Sequence, residues 1–226
     1  EVGFLSAMID ALEADYAIDT RRVYTGGYSL GGSIVYDFAA YLPDRVAAIA
    51  PVAANMWEWT LSDVNWTTPV ACVHLLGTND FYAPYNGSPG WVPSATQQQN
   101  YWIAKNQTQT TPDVTNVGGN ITRYTWAPGE GCHGYQHDRK QGGGHDTPTA
   151  SQVVAIWNYL SQFDIDGLIT CNPVEPPAND ECSTALDVAE GITSFTTEAA
   201  TDSGVDSAIS CSGTAGPQVG SDIWFS

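Results

Sequence analysis

Val23-Tyr24-Thr25-Gly26-Gly27-Tyr28-Ser29-Leu30-Gly31-Gly32-Ser33-Ile34-Val35-Tyr36-Asp37-Phe38-Ala39 is the stretch whose reading decides the fold. It opens on β-branched and aromatic residues. It continues with Ile34, Val35, Phe38, Ala39 and Leu42 at helical spacing, the pairs 34/38, 38/42 and 35/39 being four apart. The pattern is strand, sharp turn, helix. The turn is Gly27-Tyr28-Ser29-Leu30-Gly31, a G-x-S-x-G string. A serine there sits on strained backbone with its hydroxyl above the sheet edge, and Gly27 and Gly31 are expected to flank it because a Cβ would collide where strand and helix cross. The helix puts free N–H groups beside the serine, the setting in which an acyl-transfer oxyanion is stabilised. By itself the string arises by chance in roughly one chain in six of this composition, so the strand–helix context carries the signal. The plain alternative is a Gly-rich turn whose Ser29 caps the helix.

Outward from the elbow, strands and helices alternate. Residues 1–16 read as an amphipathic helix with Phe4, Leu5, Met8, Ile9 and Leu12 in its pattern. The strand runs 23–28, and Pro43 stops the helix after Leu42. Ala47–Val52 and Val70–Leu76 are short apolar runs that read as buried strands. Ser94 caps a helix over Ala95–Asn106, Ile121–Trp126 is a strand, residues 127–148 a long Gly-rich loop, and Thr149–Phe163 a last helix. Four strands alternating with helices imply a parallel sheet covered on both faces. The small strand count and the start on a helix at Glu1 suggest that a domain is cut at its N-terminal side, and the strand-like end over 222–226 that the last module is cut short.

A nucleophilic serine needs a base, and the base needs an orienting carboxylate. In open α/β sheets such groups come from loops at the carboxyl ends of strands. Two loops qualify: Asp80 follows the strand ending at Leu76, and His145, in Gly142-Gly143-Gly144-His145, follows the strand ending at Trp126. The order Ser29, Asp80, His145 is the Ser…Asp…His order of the α/β-hydrolases. His133 and His137 stand as alternative bases, and Asp138 and Asp146 as alternative carboxylates. His74, inside an apolar strand, reads as a buried, hydrogen-bonded residue. Leu30 supplies one oxyanion donor through its backbone N–H. Trp57, Trp59 and Tyr82 are candidate substrate contacts, with Trp91 and Tyr85 raising the same question; packing under loops is the alternative for all five. Cys132, His133, His137 and Asp138 have metal-ligand chemistry, but Gly131 and Gly134 argue against the helix that would align them, and no metal is expected.

Bulk composition narrows the classes further. The 226 residues carry 42% hydrophobic residues, a net charge of −18 and only seven Lys plus Arg. Binding of nucleic acid or anionic lipid through a basic surface is therefore disfavoured, and no apolar run reaches the length of a membrane span. Cys72 reads as a buried free thiol; Cys132 with Cys171, and Cys182 with Cys211, are candidate pairs whose connectivity stays open. Sequons lie at Asn65, Asn86, Asn106 and Asn120. From Cys171 the character changes. The organisation expected is a catalytic domain over 1–170, a Pro-rich linker over 171–178 and a partial β-rich module over 179–226, a segment without Lys or Arg.

The stretches Val2–Leu12 (VGFLSAMIDAL), Asp19–Ala39 (DTRRVYTGGYSLGGSIVYDFA), Pro43–Ala53 (PDRVAAIAPVA), His74–Gly87 (HLLGTNDFYAPYNG) and Gly142–Pro148 (GGGHDTP) together resemble the polyhydroxybutyrate depolymerase-like esterases, a family that includes feruloyl and acetyl-xylan esterases. The resemblance spans most of residues 1–163. It implies the α/β-hydrolase fold, secretion, no cofactor, and an ester substrate, in some members polymeric. The family's elbow serine falls on Ser29, the aspartate of its H-G-T-x-D-x-x-x-P-Y segment on Asp80, and the histidine of its G-G-G-H segment on His145. Departures are Asp146-Thr147-Pro148 where the family has Trp-Pro after the histidine, and the Leu75-Leu76 insertion between His74 and Gly77. The segment 132–138 has no counterpart in the resemblance. Residues 178–226 resemble modules opening Pro-x-Asn-Asp-x-Cys that are appended to secreted bacterial enzymes. The function expected is a secreted serine esterase; the alternative is an inactive hydrolase-like domain in a modular polysaccharide- or surface-binding protein.

Overall fold

A computed structural model describes residues 2–63, 68–129 and 131–171. The expected linker beyond Cys171, the module over 179–226, Cys182 and Cys211, and the Asn65 sequon lie outside the described residues. The described residues belong to one compact unit that ends at Cys171.

Six strands form one sheet in the order β1-β2-β3-β6-β5-β4: β1 Tyr24–Tyr28, β2 Ala48–Val52, β3 Ala71–Gly77, β4 Asp113–Gly118, β5 Ile121–Trp126 and β6 Tyr135–Lys140. β1, β2, β3 and β6 are parallel; β5 pairs antiparallel with β6, and β4 with β5. The helices are α1 Val2–Asp15, α2 Leu30–Tyr41, α3 Glu58–Asp63, α4 Ala95–Lys105 and α5 Ala150–Leu160. A small ribbon, β7 Phe163–Asp164 with β8 Gly167–Leu168, follows α5.

Alternation along the strands sorts the helices to two faces. Ile49, Cys72, Tyr135 and Trp126 share a core with Ile9 of α1, Val35, Phe38 and Ala39 of α2 and Trp102 of α4. The residues one step along, Ala48, Ala50, Ala71 and Val73, pack against Tyr159, Leu160 and Phe163. α1, α2 and α4 therefore cover one face and α5 the other, because neighbouring residues of a strand point to opposite sides. All-buried β2 and β3 carry the near-continuous apolar runs typical of central parallel strands.

The structure corrects three expectations from the sequence. The sheet is mixed rather than parallel, because β5 turns back through the Gly118-Gly119-Asn120 tip from β4. The loop over 127–148 contains β6, which lies between β3 and β5, and the exposed strand β4 and the short α3 had no pattern to betray them. On α1, Leu5 and Ile9 pack inward while Phe4, Met8 and Leu12 are exposed. The helix ends fit expectation better: Ser94 caps α4 and Thr149 caps α5, each in a reciprocal capping box with Gln97 and Gln152. Cys132 is bonded to Cys171, and Cys72 is a buried free thiol. Asn106 is fully buried, its amide bonded to Val70 on both backbone groups and to the Gly134 carbonyl, so it ties together the residues that lead into β3 and β6 rather than standing as an accessible sequon.

Candidate active site

Ser29 stands between β1 and α2 at φ 56°, ψ −127°, a conformation non-glycine residues rarely adopt. Such strain costs on the order of 1–3 kcal/mol and persists only where surroundings impose it. Here the Ser29 N–H donates to the Val52 carbonyl at 2.9 Å, and the Ser29 carbonyl accepts from Gly32 and Ser33 at 2.9 and 3.2 Å. A Cβ on Gly27 would lie 2.3 Å from the Gly31 carbonyl, and one on Gly32 would lie 2.5 Å from Ala54 Cβ. The crossing thus needs Gly27 and Gly32. The expectation for Gly31 is corrected: a Cβ there meets nothing within 4 Å. Ser29 makes no side-chain cap bond to α2. Its hydroxyl turns away from the helix, which removes the capping alternative.

That hydroxyl meets His145. Ser29 Oγ and His145 Nε2 are 2.8 Å apart, and His145 Nδ1 lies 2.8 and 3.0 Å from the two carboxylate oxygens of Asp80. The Asp80 side chain is fully buried and accepts backbone N–H bonds from Tyr82 and Ala83 at 2.9 and 2.8 Å. These bonds leave the carboxylate facing the imidazole. With Nδ1–H donating to Asp80, Nε2 is the basic nitrogen toward Ser29. The loops that deliver the two side chains are joined: Asn79 N–H donates to the Gly143 carbonyl at 2.9 Å and Gly142 N–H to Thr78 Oγ1 at 2.8 Å. A Cβ on Gly77 would come within 2.3 Å of the Gly143 carbonyl, so glycine permits this contact. His145 follows β6, not the strand ending at Trp126 as the sequence suggested.

The alternatives are engaged elsewhere. His133 Nδ1 faces the Gly131 carbonyl, and His137 Nε2 faces Tyr85 Oη at 3.0 Å. Asp138 holds a two-pronged pair with Arg123 at 2.7 and 2.8 Å, and Asp146 accepts from Lys140 Nζ at 2.9 Å. His74 is fully buried, Nε2 2.9 Å from the Ala54 carbonyl, and burial depresses its pKa to about 4. Burial also pushes the pKa of His137 well below its ordinary value, with neighbouring His74 and Arg139 acting in the same direction. Cys132, His133, His137 and Asp138 do not converge, one being in a disulfide and one paired with arginine.

Ser29 and His145 open onto a pocket of about 230 Å3. Trp57, Tyr82 and Trp91 line it, with small walls from Ala53, Ala54 and Ala83. Leu30 lines it too, and its N–H is the first of α2. Trp59 stands outside this lining and stacks on Trp57 at 4.9 Å and 10°. Tyr85 is turned to His137 instead. Sequence reading missed the wall's support: Gln98, fully buried, donates to Asn55 Oδ1 and accepts from Met56 N–H, and Asn55 Nδ2 donates to the Pro84 carbonyl. It also missed Tyr28, whose hydroxyl donates to the His145 carbonyl at 2.8 Å. Its place inside the elbow string was the available signal.

No family model matches the chain. It is 30% identical over 171 residues to the bifunctional acetylxylan esterase/xylanase XynS20E of Neocallimastix patriciarum, covering 75% of this chain and 24% of that protein. It is 26% identical over 166 residues to poly(3-hydroxyalkanoate) depolymerase C of Paucimonas lemoignei, covering 64% and 40%. It is 23% identical over 176 residues to feruloyl esterase B of Piromyces equi, covering 73% and 32%. The chain thus spans a quarter to two fifths of the length of these relatives. The acetyl xylan esterase from Aspergillus awamori superposes with a TM-score of 0.53 at 17% identity, over 70% of this chain and 67% of that one.

The chain has the α/β-hydrolase fold.

Its relatives are feruloyl and acetylxylan esterases and a polyhydroxyalkanoate depolymerase, the group that the sequence resembles. In this fold the elbow strand β1 lies at one edge of the described sheet, and the Ser29 N–H donates to Val52 at the carboxyl end of β2. Among the described residues no helix is long and apolar enough to cross a membrane.

Proposed function

We propose that this α/β-hydrolase is a carboxylic ester hydrolase working through Ser29, His145 and Asp80. The observation that carries the reading is the unbroken line of hydrogen bonds from buried Asp80 through His145 to Ser29 at the mouth of a pocket. Ser29 Oγ attacks the ester carbonyl and passes its proton to His145 Nε2, while Asp80 holds the imidazole and stabilises its charged form. The oxyanion forms beside the Leu30 N–H at the start of α2, where the helix end favours negative charge. His145 then protonates the leaving alcohol, and water, activated by the same nitrogen, releases the acid. The scheme needs no cofactor.

The substrate class follows the names of the relatives. Acyl esters of plant polysaccharide and polyester linkages have a small reacting ester on a long chain. A pocket of about 230 Å3 suits one acyl group or one ring, with the polymer outside. Trp57 and Tyr82 are its aromatic wall, and Trp59 extends that wall outward. The Cys132–Cys171 bond supports secretion into an oxidising compartment. The test is labelling with a fluorophosphonate, which reacts with activated serines. The chain should label and its Ser29→Ala variant should not; labelling that survives Ser29→Ala would end the proposal.

A further inference from the structure

His145 reaches Ser29 from irregular chain, five residues beyond Lys140 of β6 and five before Ala150 of α5. Gly142, Gly143 and Gly144 precede it, so the local chain does little to orient its ring. Backbone bonds to Thr78 and Asn79 hold the glycines. The carbonyl of His145 itself is held by Tyr28 Oη at 2.8 Å. Tyr28 is the last residue of β1 and the covalent neighbour of Ser29, so its backbone is fixed by pairing with Val52. Its ring lies 5.1 Å from the imidazole, tilted 43°; the Tyr82 ring lies 5.1 Å away as well, tilted 57°. One tyrosine thus joins the elbow to the loop of the base, and two tyrosine rings border the imidazole.

We propose that Tyr28 is a positioning residue that ties the backbone of His145 to the elbow. Asp80 fixes the imidazole at Nδ1 alone, which leaves the ring able to swing about that bond. The Tyr28 hydroxyl removes the swing by anchoring the other end of the residue. The Ser29–His145 contact then persists as substrate enters and product leaves, when no ligand fills the pocket to hold it. The inference rests on the esterase reading above and goes beyond it by assigning a role outside the three hydrogen-bonded side chains. Tyr28 is partly exposed, and water can serve the His145 carbonyl once the hydroxyl is gone. Its removal should therefore leave folding intact and appear in turnover.

Tyr28→Phe keeps the ring and deletes the bond. A single hydrogen bond of this kind supports a loss in kcat of about 3- to 10-fold, with KM within about twofold of the parent. The rate of fluorophosphonate labelling should fall by the same factor, and the thermal midpoint should stay within about 2 °C. The low-field proton signal of the His145 Nδ1–H, read by NMR without substrate, should broaden in Tyr28→Phe as the imidazole gains freedom. Equal kcat and labelling rate in parent and variant would overturn the proposal, as would a kcat loss that only follows a fallen thermal midpoint. Ser29→Ala is measured alongside. If it is inactive while Tyr28→Phe matches the parent, the Tyr28 role alone fails. If it is as active as the parent, the esterase reading fails and the Tyr28 role with it.

Discussion

The carboxyl end of the sheet and its interior both hold histidine among aromatic rings, and they differ in two respects. At the end, His145 has a buried carboxylate on Nδ1, a serine on Nε2 and access to a pocket. In the interior, His74 and His137 face each other across β3 and β6 with ring centroids 5.0 Å apart. Each has one hydrogen-bonded nitrogen, to the Ala54 carbonyl and to Tyr85, and no partner among the described residues for Nδ1. Burial keeps both neutral. An imidazole works as a base when a carboxylate stabilises its charged form and solvent or substrate can reach it. The interior pair lacks both conditions and serves packing between Tyr36 and Tyr124.

The sharpest way to break that contrast is to exchange the two settings. His145→Ala should lower kcat on the order of 10^5-fold, and Asp80→Asn by about 10^4-fold through the wrong tautomer, both with near-parental thermal midpoints. His137→Gln should do the reverse: a lower midpoint and a kcat within about threefold of the parent. Steady-state kinetics beside thermal melts would decide it. Comparable kcat losses at His145 and His137 would dissolve the distinction.

A smaller effect separates stability from chemistry elsewhere. The Cys132–Cys171 bond closes a span of 39 residues that includes β6 and α5. Its removal by the paired change Cys132→Ser and Cys171→Ser should cost about 4 kcal/mol in urea unfolding through unfolded-state entropy. In the absence of denaturant kcat should hold, since neither cysteine touches the pocket.

The interior histidines also set an acid limit. His74 has a pKa of about 4 when folded, against 6.5 in the open chain. Between those values the unfolded chain binds the proton and the folded chain does not. The stabilisation is therefore whole above pH 6.5 and falls by about 3 kcal/mol by pH 4. His137 acts in the same direction. Urea midpoints should decline from pH 6.5 to pH 4 and be flat above that range; a flat acid limb would contradict the buried, neutral state.

Legibility in the sequence followed the chemistry that each segment had to satisfy. β2 and β3 were visible because both faces are buried and their residues are apolar. β6 was hidden although its first four residues are buried, because Gln136, His137 and Asp138 are polar. Partners distant in sequence, Tyr85 and Arg123, offset that polarity, and no local pattern records them. β4 is exposed along its length and has no apolar face to announce it. Ser29 and Asp80 stood out as candidates because each lies just past a readable strand end in a glycine-bearing turn, and His145 because it follows Gly142-Gly143-Gly144 in a stretch that matches the family resemblance. The crossing of β1 and α2 was placed correctly but assigned to the wrong second glycine, since Gly32 meets Ala54 from another element. Gln98 acts through tertiary contacts alone, and the elbow string marks the place of Tyr28 without recording its partner.

The most direct measurement is intact-mass analysis of the chain quenched during turnover of p-nitrophenyl acetate, followed by peptide mapping. An acetyl group on the peptide bearing Ser29, absent from Ser29→Ala, is the expected result. Turnover without an acyl adduct, or an adduct on another residue in a chain whose Ser29→Ala variant still turns over, would contradict it.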